Sequence, residues 1–126
     1  MAKVLVIDDD TDLCDAVRIV LETEELDVLA ANTKDAGRRA VDSFAPDLVI
    51  LDVMMEQPDD GFVLASELRA SGFAKPILML TNVGHVTGMY YDRDDELVPV
   101  NEFYEKPISP AQLIEIVTRL LREGGS

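Results

Sequence analysis

Tryptophan is absent from this chain, and cysteine and histidine occur once each, as Cys14 and His85. A single cysteine excludes an internal disulfide and suits a reducing compartment. Basic residues are scarce: 11 Lys and Arg stand against 25 Asp and Glu, a formal charge of −14. Such a surface repels a nucleic-acid backbone, whose affinity comes from neutralising phosphates. It also argues against docking on anionic membranes. No apolar stretch approaches the ~20 residues that span a bilayer. The opening Met1 to Ile7 is too short and too quickly acidic for a signal peptide. These absences lead to the expectation of a soluble, cytoplasmic protein that binds neither nucleic acid nor membrane.

What remains is apolar material in quantity. Forty-eight per cent of the 126 residues are hydrophobic, enough for one core and too many for a disordered chain. The sequence has no linker or internal repeat, so residues 1–126 are expected to form a single domain. The excess of acid has two readings that stay open at this point. It can serve solubility, or some carboxylates can be gathered at a cation site.

Along the chain, short apolar runs alternate with helical patterns. Val4 to Ile7 reads as a buried strand, followed by a helix from about Thr11 to Glu24 with Leu13, Val17, Val20 and Leu21 on one face. Leu26 to Ala31 is a second strand. Thr33 caps a second helix running to Phe44, and Pro46 ends it. Leu48 to Leu51, following Asp47, is a continuous apolar run closing on Asp52, the pattern of a strand buried on both faces. Asp59-Gly61 reads as loop punctuation before a helix from Phe62 to Ala70. Pro76 to Thr81 and Glu102 to Glu105 read as further strands, the latter ending at Lys106-Pro107. Ser109, Pro110 and Gln112 form a capping box opening a last helix. Between Asn82 and Asn101 the pattern supports at most a short, frayed helix. Strand–helix alternation of this kind predicts an α/β fold: a doubly wound, five-stranded parallel sheet between two layers of helices, as in flavodoxin-like (βα)5 domains.

In a parallel sheet all strand ends point to one edge, the usual place for a ligand. Here the first strand delivers Asp8, Asp9 and Asp10, the third Asp52, the fourth Thr81 and the fifth Lys106. Alone, Asp52 reads more readily as a turn residue than as a chemical group. Together, converging carboxylates suit a hard divalent cation, Mg²⁺ best of all, while a hydroxyl and an ammonium suit phosphoryl oxygens. The set points to phosphoryl transfer, which is largely positioning and charge neutralisation.

These motifs, Val6-Ile7-Asp8-Asp9-Asp10, Leu48 to Met55, Ile77 to Thr81 and Lys106-Pro107, resemble those of response-regulator receiver domains, the CheY-like family of two-component signalling. The resemblance covers essentially the whole chain. It implies that Asp52 is the phosphoacceptor for a sensor histidine kinase or phosphotransfer protein. It further implies that Asp9, Asp52 and the backbone carbonyl of Met54 ligate Mg²⁺, and that Asp8 acts through a metal-bound water. Thr81 and Lys106 would contact the phosphoryl group, with Thr81 and Phe103 as switch residues. The Lys106-Pro107 peptide is expected to be cis. Asp10 is expected to cap the following helix, Cys14 to be a packing or surface thiol, and His85 an exposed loop residue.

Two places depart from the family pattern. Glu56 stands where a proline is usual, and Pro58 and Gly61 are displaced, so the loop after Asp52 is one residue longer. The stretch from Thr81 to Lys106 is about three residues longer than usual, with Gly84, Gly88 and Pro99 in place of a regular helix. The expected function is a stand-alone receiver signalling to an unknown output protein; whether it forms a homodimer on activation is left open by the sequence. The alternative is a pseudo-receiver, an interaction module that never turns over phosphate. A Mg²⁺-dependent phosphohydrolase is disfavoured, because Met54 stands where a second carboxylate is needed.

Overall fold

The computed structural model describes residues 2–52, 60–82, 102–106 and 108–125. In chain order these form β1 (Lys3–Ile7), α1 (Thr11–Glu22), β2 (Asp27–Ala31), α2 (Lys34–Phe44), β3 (Leu48–Asp52), α3 (Asp60–Ala70), β4 (Ile77–Asn82), β5 (Glu102–Lys106) and α4 (Pro110–Gly125). The five strands make one parallel sheet in the order β2-β1-β3-β4-β5. This is the expected flavodoxin-like, CheY-like arrangement. The segment expected to carry a frayed helix between β4 and β5 lies outside the described residues beyond Asn82.

The apolar runs are continuous because both faces of the sheet are covered. Val4, Val6, Leu48, Ile50, Leu78 and Leu80 pack on one face against Cys14, Val17 and Leu21 of α1 and Leu113, Ile116, Val117 and Leu120 of α4. Their neighbours Leu5, Ile7, Val49, Leu51, Ile77 and Met79 face the other way, onto α2 and α3. At about 2 kcal/mol for each fully buried aliphatic side chain, this two-sided burial dominates the stability of the fold.

Helix ends follow local chemistry. The Asp10 carboxylate accepts the Asp12 and Leu13 amides at 3.1 and 3.2 Å. Thr33 Oγ1 accepts the Ala36 amide at 3.0 Å. Ser109 Oγ accepts the Gln112 amide at 3.2 Å while Gln112 Oε1 accepts the Ser109 amide at 3.3 Å, closing the capping box. Two boundaries differ from expectation. α1 stops at Glu22, because the Thr23 hydroxyl and amide both turn back to the Val20 carbonyl and Glu25 adopts a left-handed φ of 62°. α3 begins at Asp60 rather than Phe62. Asp-Gly, a turn signal in isolation, here starts a helix, where an acidic first turn favours the positive end of the helix dipole.

α2 lies unusually close to β1. A Cβ at Gly37 would stand 2.6 Å from Ile7 Cδ1, so only glycine permits this seating. The N-terminal edge of the sheet is tied by cations. The Lys3 ammonium donates to the Phe44 carbonyl at 3.3 Å and lies 5.4 Å from the Phe44 ring, while the Lys3 amide donates to Asp47 Oδ2 at 2.9 Å. Arg69 donates to the carbonyls of Phe73 and Lys75 at 2.9 and 2.7 Å, with its guanidinium 5.8 Å from the Phe73 ring. Burial lowers the Arg69 pKa from its ordinary value.

Candidate functional site

The sheet order reverses between β1 and β3: the chain steps from β1 outward to β2, then returns to β3 on the other side. Crevices at such reversals, beyond the carboxyl ends of the strands, are where open α/β sheets bind ligands. Ile7 pairs with Leu51 in register, so Asp8 and Asp52 are the next residues on adjacent strands. Both are buried, at 1% and 5% exposure, whereas Asp9 is exposed. Carboxylate oxygens of Asp8, Asp9 and Asp52 all lie within 4.8 Å of one another.

The loop after β1 is firmly held around Asp8. Its amide donates to the Ala31 carbonyl at 3.0 Å, and its Oδ1 accepts the Asp10 amide at 2.9 Å. Its carbonyl accepts two donors, Asn32 Nδ2 at 3.1 Å and Cys14 Sγ at 3.4 Å. Asp10 caps α1, as expected, and stands apart from the carboxylate cluster. Cys14 is a buried core thiol. Burial, reinforced by the charges of Asp8 and Asp10, pushes its pKa from 9.0 up to about 11, which leaves it protonated and unreactive at neutral pH.

The remaining predicted residues are placed by strand register. Leu80 of β4 pairs with Asp52, and Thr81 follows it on the same edge. Lys106 is the last residue of β5 and pairs with Asn82, while Phe103 pairs with Met79. The strand ends thus converge on one edge as the sequence pattern requires. Met54, His85 and Pro107 lie outside the described residues.

Two features of this edge escaped the sequence pattern. Asn32 reaches the Asp8 carbonyl from the end of the outer strand β2. Lys34, in the first turn of α2, pairs at 3.5 Å with the buried Asp60 of α3. Both residues sit at the same strand edge, but neither belongs to a recognisable motif. A cleft of about 470 Å³ lies at the opposite end of the sheet, where Asp42 and Lys75 are its charged lining residues. It is remote from the clustered carboxylates.

Three carboxylates this close repel one another unless a cation is shared between them. All the donors are hard oxygens, a set that suits Mg²⁺, which takes one or two carboxylates and completes its shell with water and phosphate oxygens. The residues present therefore fit a divalent cation.

The profile of the response regulator receiver domain family matches residues 4–118. The chain belongs to this family. Among sequence relatives, the receiver is 31% identical over 124 residues to the alkaline phosphatase synthesis transcriptional regulatory protein PhoP of Bacillus subtilis (strain 168), covering 95% of this chain and 48% of PhoP. It is 33% identical over 124 residues to the DNA-binding response regulator MtrA of Mycobacterium leprae (strain TN), covering 95% of this chain and 51% of MtrA. The receiver thus spans about half the length of these curated relatives. Among solved structures, the receiver domain of NtrX from Brucella abortus is 28% identical with a TM-score of 0.82, over 94% of this chain and 98% of that one. A CheY-like response regulator receiver domain protein from Methanospirillum hungatei JF-1 superposes with a TM-score of 0.87 over 99% of this chain and 97% of that one; at 22% identity it speaks for the fold. No helix among the described residues is long and apolar enough to cross a membrane.

Proposed function

We propose that this receiver accepts a phosphoryl group on Asp52 from a sensor histidine kinase or a phosphotransfer protein, in a Mg²⁺-dependent reaction, and signals the change to a protein partner. The observation that carries this reading is the buried Asp52 at the end of a central strand, with its carboxylate inside a 4.8 Å cluster with Asp8 and Asp9. An Asp52 oxygen attacks the phosphorus of a phosphoimidazole. The new O–P bond forms an acyl phosphate, the N–P bond breaks, and the imidazole departs with the bonding pair.

Asp9 and Asp52 would hold Mg²⁺ directly, with the Met54 carbonyl, and Asp8 through water. Bound there, Mg²⁺ offsets the charge of the carboxylates and of the incoming phosphoryl oxygens. The chain's own part is to fix the carboxylates and to keep Asp52 away from bulk water. Thr81 and Lys106, at the ends of β4 and β5, are the donors assigned to the phosphoryl oxygens. Thr81 and Phe103 are the residues assigned to the switch. Residues 1–126 are read as one receiver domain acting in the cytoplasm, with an output partner and a capacity to dimerise that follow phosphorylation.

The test is incubation with Mg²⁺ and acetyl phosphate, followed by intact mass. One added phosphate is expected, lost in Asp52→Asn and in the presence of a chelator. An unmodified chain under all conditions would instead identify a pseudo-receiver.

A further inference from the structure

We propose that Asn32, assisted by Cys14, is a positioning residue for the cation site, acting through the Asp8 carbonyl. This rests on the reading of Asp8, Asp9 and Asp52 as that site. The Asp8 carbonyl takes one donor from each side: Asn32 Nδ2 at 3.1 Å from the end of β2, and Cys14 Sγ at 3.4 Å from α1. The two donors also meet each other at 3.6 Å. A peptide is planar, so fixing the carbonyl of residue 8 fixes the amide and Cα of residue 9. The same hydrogen bonds therefore set the backbone position from which the Asp9 side chain leaves.

The need for such a brace follows from charge. Asp9 is the exposed member of the cluster, and repulsion from buried Asp8 and Asp52 favours its swinging out into water. The Asp8 side chain is independently pinned by the Asp10 amide, and its own amide by Ala31. The pair of donors on the carbonyl holds the 8–9 peptide plane, and the amide of Asn32 is much the stronger, since a thiol donates weakly. Asn32 is itself an exposed residue, so its removal should cost little packing. Interactions that orient metal ligands are commonly worth 10–100-fold in affinity.

The experiment measures Mn²⁺ affinity from the spectrum of the free ion in the full chain, with melting temperature in metal-free buffer as a companion reading. Asn32→Ala is expected to weaken Mn²⁺ binding about tenfold while leaving the melting temperature nearly unchanged. Cys14→Ser, which keeps a donor, should bind as the wild type does, and Cys14→Ala more weakly than Cys14→Ser. A folded Asn32→Ala chain with wild-type affinity overturns the proposal, whatever its melting temperature. If Asn32→Ala does not fold, equal affinity in Cys14→Ala and Cys14→Ser overturns it. A wild-type chain that takes up no Mn²⁺ overturns the cation-site reading itself, and this inference with it.

Discussion

The two edges of the sheet handle charge in opposite ways. At the N-terminal edge, cations close the structure: Lys3 and Arg69 donate to backbone carbonyls and lie over aromatic rings, and the Asp47 carboxylate accepts the Lys3 amide. At the C-terminal edge, three carboxylates, two from the loop after β1 and one from the end of β3, crowd within 4.8 Å. One edge uses charge to satisfy groups that folding would otherwise strand. The other assembles like charges, which folding alone does not favour. The difference separates what holds the receiver together from what it is held together for.

That contrast can be broken by metal. Mg²⁺ at about a hundred times its dissociation constant should stabilise the wild type by about 2.7 kcal/mol in denaturant melts. Asp9→Asn should start no less stable in metal-free buffer and gain little from Mg²⁺. Equal gains in both chains would separate the stabilising ion from the carboxylate cluster.

The N-terminal edge should respond in the complementary sense. Arg69→Ala removes two charge-assisted hydrogen bonds and a ring contact, and is expected to destabilise by about 2 kcal/mol. The Mg²⁺-induced gain should persist unchanged. A variant that lost that gain would show the two edges to be coupled through the sheet.

The smallest effect sharpens the boundary of the acidic edge. The folded chain holds the Cys14 proton more tightly than an ordinary thiol, about 11 against 9.0. Its contribution to stability is therefore fully present below pH about 9 and is lost as pH rises toward 11. Melts across that range should fall more steeply for the wild type than for Cys14→Ala. Parallel slopes would place the thiol in a more hydrated setting than the structure gives it.

The sequence was most informative where one residue type carries one physical meaning. Apolar runs ending in Asp8 and Asp52 announced strand ends, and parallel topology then put them on a single edge. Caps at Asp10, Thr33 and Ser109 were equally legible, because each needs only a side-chain oxygen and nearby free amides. The misjudged ends of α1 and α3 have a common cause. Thr23, and Asp60 with Gly61, are residues whose local preference is ambiguous: Thr23 closes α1 by turning back on the Val20 carbonyl, whereas Asp60 is buried and pairs with Lys34 of α2. Asn32 and the Lys34–Asp60 pair were illegible for a different reason. Their partners are 24 and 26 residues away in sequence, and only the order β2-β1-β3 brings them together.

Gly37 gives the acidic edge a mechanical setting. With Ile7 of β1 seated where a Cβ would otherwise stand, α2 is keyed to the strand like a shaft in its slot. Sliding or turning the helix by one residue would carry a side chain into that slot. The close fit ties the register of α2 to that of β1, and Asp8 stands one residue beyond Ile7.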